Sequence, residues 1–213
     1  MDLPLFKGVS KALVSQFLEK TNVEFLNYES DETIIEEGDE VTMVRFVVSG
    51  GIRISYAISS LPITVNETCG PGTVLGVDRL YGISTGYPYR GSAVGKTSIM
   101  QFSKEQYVNL LQTDRIYLLN FFNFLSLRGQ RPIEMIKEYA GGDLRARLSL
   151  LVSIITQPTS KDIEIVLTDE TLAKYGNMTV EEAVDWKNGA KRMGLIKFGG
   201  NSIKIVSRKT FLS

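Results

Sequence analysis

The feature that most constrains the fold of this chain is a glycine-punctuated series of short β-branched segments between Glu32 and Phe102. Thr33-Ile34-Ile35-Glu36-Glu37-Gly38-Asp39 comes first. Arg45-Phe46-Val47-Val48-Ser49-Gly50-Gly51-Ile52-Arg53-Ile54-Ser55-Tyr56 follows, then Cys69-Gly70-Pro71-Gly72-Thr73-Val74-Leu75-Gly76. Runs of Val, Ile, Thr and Tyr of about four to eight residues, each closed by Gly, Pro or Asp, mark antiparallel strands joined by tight turns. The predicted product is a closed roll of strands.

Composition narrows the chemistry. The 213 residues, 43% hydrophobic and 23% charged, suffice for one or two domains with real cores. The longest apolar stretch, Ile116 to Leu127, is interrupted by Asn120, Asn123 and Ser126, too short and too polar for a membrane span. Met1-Asp2-Leu3-Pro4 lacks the basic start and apolar core of a signal peptide, so a cytoplasmic location is expected. Cys69, alone, cannot form an internal disulfide, as suits a reducing compartment. The absence of His removes the commonest general base and the commonest zinc and haem ligand. One Cys cannot hold an iron–sulfur cluster, which usually needs four thiolates. No haem, no iron–sulfur cluster and no enzymatic activity are therefore expected, since no nucleophile–base pair emerges. Gly91-Ser92-Ala93-Val94-Gly95-Lys96-Thr97 lacks the glycine spacing of a phosphate-binding loop and continues as apparent strand.

Helical signals flank the strands. Leu5, Val9, Leu13, Phe17 and Leu18 give the segment from Leu3 to Asn22 a helical period. Ser103 with Gln106 has the spacing of a capping box. From Thr113 onward Leu118, Phe122, Leu125, Pro132, Ile136 and Tyr139 fall on alternating four- and three-residue steps, with Gly129 in the remaining slot. Such a stripe pairs a helix with its own copy or with the core of its own domain. Pro132 lacks an amide hydrogen and clashes with the preceding turn, so a kink or restart is expected near Gly129-Gln130-Arg131. Gly141-Gly142 then reads as a hinge, followed by an apolar helix from Leu144 to Ile155 and a strand at Ile163–Leu167. Thr168 caps one helix, Gly176-Asn177 turns the chain, and Thr179 caps a second helix that runs through Trp186 towards Arg192. Lys197 to Val206 reads as a hairpin turning on Gly199-Gly200-Asn201. Helix, turn, helix and hairpin make a winged helix-turn-helix.

Ile35-x-x-Gly38-Asp39, Val48-Ser49-Gly50 and Pro71-Gly72-x-x-x-Gly76 resemble the cyclic-nucleotide-binding β-roll of the catabolite activator/FNR superfamily of transcription regulators. Leu167-Thr168-x-Glu170-x-Leu172-Ala173, Thr179-x-Glu181 and Gly194-Leu195-Ile196 resemble the same superfamily's DNA-binding domain, in the same order. The resemblance implies an α+β fold. Residues 1–112 would form a cyclic-nucleotide-binding-like sensor, a double-stranded jelly roll in which Gly38 and Gly50 sit at turns. Residues 113–140 would be a long dimerisation helix and 141–213 a winged helix-turn-helix. It also implies a homodimer on double-stranded DNA, with RNA polymerase and a small-molecule effector as further candidate partners and no membrane. The effector pocket would involve Gly76, Val77, Asp78, Arg90 and Ser92, Gly76 opening a short helix that cradles a phosphate. DNA contacts would involve Thr168, Thr179, Val180, Glu181, Lys187, Lys191, Arg192 and Lys204. An iron–sulfur oxygen sensor is excluded by the cysteine count.

This chain departs from the pattern at both sites. Val77 stands where cyclic AMP sensors of the superfamily place a ribose-binding Glu, Arg90-Gly91-Ser92 is the nearest match to their phosphate-binding Arg-Ser, and Pro132 and Ile133 stand where Thr or Ser meets the base. Asp78 would itself occupy the favourable potential of the short helix start. These departures argue against cyclic AMP, and Arg90 becomes a candidate partner for Asp78 or for another anion. In the second helix Glu181, Glu182 and Asp185 put negative charge where DNA is expected, although a Glu can accept from a cytosine amino group. Basic residues come later. From Asp143 onward 11 Lys and Arg face 8 Asp and Glu, a surplus of three positive charges in a chain that is neutral overall. The alternative is a ligand-binding or protein-interaction module whose DNA-reading surface has degenerated.

Overall fold

In the computed structural model, which describes residues 4–213, the chain divides into two compact units. Among the described residues, one comprises 4–53 with Gly70–Gln130, the other Ile54–Cys69 with Arg131–Ser213. The long strand β3 (Met43–Ile58) and the helix α3 (Arg115–Tyr139) each pass from one unit to the other.

The first unit begins with a 3-10 turn (Pro4–Phe6) and the helix α1 (Lys11–Lys20). The expected single helix from Leu3 is thus two pieces, because Gly8 at φ 74° breaks it and Ser10 caps the second piece; Met1–Leu3 lie outside the described residues. Strands β1 (Glu24–Tyr28) and β2 (Thr33–Ile35) both pair antiparallel with β6 (Arg90–Ser103), while β5 (Val74–Leu75) pairs with the start of β3. Gly38 turns at φ 90° as expected, but Gly50, expected at a turn, lies inside β3 at φ 74°. A Cβ there would come within 2.3 Å of the Lys96 carbonyl oxygen, so positive φ and close backbone approach both require glycine. The core is aromatic. Phe102 packs against Phe17 with centroids 5.1 Å apart and against Phe46 at 5.8 Å, and Tyr117 meets Phe6 edge-on at 5.7 Å.

Ser103 opens the helix α2 (Lys104–Thr113) with the expected capping box: its hydroxyl accepts from the Gln106 backbone amide at 3.1 Å, and the Gln106 side-chain oxygen Oε1 accepts from the Ser103 backbone amide at 2.7 Å. The helix α3 continues unbroken through Pro132, so the expected restart does not occur. The missing amide and ring fall where residues 128–131 are already exposed or half-buried, and no packing forces a break.

The second unit is built on a sheet in the order β3 (its last five residues), β4 (Ile63–Cys69), β7 (Lys161–Val166), β9 (Ser202–Ile205), β8 (Ile196–Gly199). The β3–β4 hairpin, which reads from sequence as part of the roll, thus pairs with the strand that carries the wing: Thr64 faces Val166, Val65 faces Ile165 and Asn66 faces Glu164. Alternation along Ile63-Thr64-Val65-Asn66-Glu67-Thr68-Cys69 points Ile63, Val65, Glu67 and Cys69 inward. The helix α4 (Leu144–Ile155) covers this core with Leu144, Leu148 and Val152, one face at four-residue steps. The helices α5 (Asp169–Gly176), α6 (Val180–Arg192) and α7 (Arg208–Leu212) complete the unit; α7 carries no repeat long enough to be read from sequence. Among the described residues no helix is long and apolar enough to cross a membrane.

Candidate effector pocket and nucleic-acid interface

Gly76, at φ 75°, caps the 3-10 turn Val77–Arg79, as the β-roll pattern requires. The space above it is filled by protein. A Cβ on Gly76 would lie 2.7 Å from Cε1 of Tyr87 and 2.8 Å from Cγ1 of Val41. Val77 is buried, and Asp78 pairs with Arg128 at 3.4 Å. Arg90 does not meet Asp78. It donates to the Thr33 hydroxyl on the neighbouring strand β2 at 2.9 Å and pairs with Glu36 at 3.5 Å, with its side chain 59% exposed. Ser92, half-buried on the same strand, faces Thr33 in the β2–β6 register.

The tyrosine over Gly76 carries a cation that the motif did not indicate. Arg45, on β3, donates from Nε to the Gln101 side chain at 2.9 Å and lies 5.8 Å from the centroid of Tyr87, whose hydroxyl it approaches at 3.5 Å. Gln101 donates onward to Glu24 at 2.7 Å. Burial raises the Tyr87 phenol above its ordinary value against the opposing effect of Arg45, so the ring is neutral at physiological pH. No spacing rule flags Arg45 or Tyr87, because they lie 42 residues apart in the chain and meet only in the fold.

In the second unit, the Thr168 hydroxyl accepts from the Thr171 amide at 3.2 Å and caps α5. Asn177, at φ 55°, ends that helix, and Thr179 opens α6 with a full capping box. The Glu182 carboxylate accepts from the Thr179 amide at 2.7 Å and from its hydroxyl at 3.0 Å, which hold the acid below the usual carboxylate range. Part of the acidic run therefore belongs to the helix start, where negative charge is favoured. Ala183, Lys187 and Ala190 form the inward face of α6. Val180, Glu181, Asp185, Asn188, Lys191 and Arg192 are exposed.

Lys187 corrects an expectation. It is 6% exposed, its ammonium ion-pairs with Asp169, and it sits 4.8 Å from the centroid of Phe198. It holds α6 against the start of α5 and the hairpin instead of facing solvent. Lys191 lies over the other part of the same ring at 5.1 Å with its head exposed, and Lys204 pairs with Glu164 at 3.7 Å.

Residues 25–114 match the model of the cyclic nucleotide-binding domain. No curated protein matches the sequence. Among solved structures, the chain is similar to the catabolite activator protein of Thermus thermophilus, with 18% identity over 98% of this chain and 96% of that one and a TM-score of 0.57. It is similar to the c-di-GMP responsive regulator CLP of Xanthomonas campestris, with 17% identity over 93% and 100% and a TM-score of 0.56. The sensor domain of the transcriptional regulator DNR from Pseudomonas aeruginosa aligns over 62% of this chain and 86% of that one, at 17% identity and a TM-score of 0.52. At these identities the likeness is one of fold: an antiparallel β-roll with accompanying helices.

The segment similar to the cyclic nucleotide-binding domain thus has a left-handed glycine at position 76, with Tyr87 and Val41 packed over it. Tyr87 lies over Gly76, Arg128 pairs with Asp78 and Arg90 pairs with Glu36.

Proposed function

We propose that the chain is a homodimeric, sequence-specific DNA-binding regulator of catabolite activator/FNR type, with residues 1–112 as sensor, 113–140 as dimerisation helix and 141–213 as winged helix-turn-helix. The observation that carries this is the pair of side-chain-capped helices α5 and α6 joined at Asn177 and followed by the β8–β9 hairpin, with Lys191 and Arg192 exposed at the end of α6. A helix that packs through Ala183, Lys187 and Ala190 leaves Val180, Glu181 and Asp185 to reach base edges, and Lys191, Arg192 and the hairpin's Lys204 to position the protein on phosphates. Dimerisation through α3 is supported by its apolar side chains that find no cover in the monomer: Phe122 is 53% exposed and Ile136 49%.

A cyclic nucleotide is not the effector in this reading, which leaves another small molecule or a constitutive state. An effector can shift DNA affinity only by binding one arrangement better than the other. Two elements bear on that balance: Gly141-Gly142 between α3 and α4, and the β3–β4 hairpin, whose pairing with β7 ties a stretch of the roll's own strands to the wing sheet. The protein works in the cytoplasm, with RNA polymerase as a further partner.

A second reading, a module that has lost DNA reading, is favoured by Glu181 and Asp185, like charges four residues apart on the exposed face of α6. Selection from random duplex DNA separates the two: enrichment of paired half-sites supports the regulator, and absence of any preference supports the module.

A further inference from the structure

A cavity of about 280 Å³ opens in the first unit between α1, α2 and the start of α3, and no strand residue lines it. Its size lies near the lower end of small-molecule pockets, about 300–1,000 Å³. Phe17, Leu110 and Tyr117, all buried, form an apolar floor, and Leu13 stands at the side. The floor is rigid. Phe17 is wedged between Phe6 and Phe102, with centroids 6.0 and 5.1 Å away, so the hollow does not close by side-chain collapse.

The rim is polar and carries one charge. Lys20 lines the cavity and makes no ion pair among the described residues, and no acidic side chain lines it. Asn109, exposed on α2, lines it and makes no side-chain hydrogen bond among the described residues, and the buried Tyr117 hydroxyl has no hydrogen-bond partner among them. An apolar floor with a few convergent polar groups and a single unpaired cation fits a compact apolar body carrying one negative charge. We propose that this cavity binds a small aromatic or aliphatic monocarboxylate, its ring or chain on Phe17, Leu110 and Tyr117 and its carboxylate at Lys20 and Asn109. Such binding would bridge α1 to α2, and it does not depend on whether the chain reads DNA.

Calorimetry on the full chain with 2-naphthoate as probe, and 2-naphthamide as its uncharged isostere, tests the proposal. Naphthoate should bind one site per chain with an affinity better than about 1 mM and at least about fivefold tighter than the amide. Lys20→Ala should remove that difference and leave amide binding unchanged. Leu13→Trp and, at the exposed rim, Thr113→Trp should abolish binding of both, with circular dichroism confirming that each variant is folded. Absence of saturable binding to the wild type, equal affinity for naphthoate and the amide, or undiminished binding to the folded tryptophan variants would overturn it.

Discussion

Lys187 and Arg192 lie five residues apart on α6 and do different work. Lys187 joins Asp169 and Phe198 inside the unit, whereas Arg192 faces solvent. Lys187→Ala should lower thermal stability by about 1–3 kcal/mol, since it strips a buried cation and its packing from the α5–α6 contact. It should leave the salt dependence of DNA binding unchanged, while Arg192→Ala should leave the melting temperature unchanged and reduce the salt slope by about one. Glu67 offers a second test. Its carboxylate is fully buried and accepts from the Gln157 amide at 2.8 Å and the Tyr56 hydroxyl at 3.1 Å, yet burial outweighs these bonds and raises its pKa above the ordinary 4.5. The folded chain then binds the proton more tightly than the unfolded one, so stability falls as pH rises from the ordinary value through the raised one. Thermal melts across that window should show Glu67→Gln gaining on the wild type as pH rises; a difference independent of pH would contradict the assignment.

Among the elements, those defined by their own few residues were legible in the sequence. Ser103 with Gln106, Thr168 with Thr171 and Thr179 with Glu182 are caps whose hydrogen bonds close within three residues, and all form. What depends on partners distant in the chain was not legible. Gly50 reads as a turn until β6 is seen to approach it, and Lys187 reads as a DNA-contacting cation until Asp169 is seen opposite. The β4–β7 pairing is the largest such case, because alternation in both strands is compatible with many neighbours. That pairing predicts that the amides of Val65 and Ile165 exchange hydrogen in one cooperative unit. Exchange of the hairpin at a rate far above that of β7 would show that the two are not held together. For α6, Glu181→Ala should alter the preferred base at one position by about 1–3 kcal/mol, measured by competition between duplexes.

At the scale of the molecule, the account rests on two copies presenting two α6 helices to one duplex. Phe122→Glu combined with Ile136→Glu should yield monomers in sedimentation experiments, by placing charge on side chains that are half-exposed in the single chain. Loss of dimerisation should weaken DNA binding in step, since each half-site alone offers half of the contacts. The direct test of the central claim is selection of the wild-type protein on random duplex DNA followed by sequencing. The account predicts enrichment of a two-fold symmetric site with half-sites about one helical turn, or 34 Å, apart. A population no different from the starting pool, with only salt-sensitive, sequence-independent binding, would contradict it.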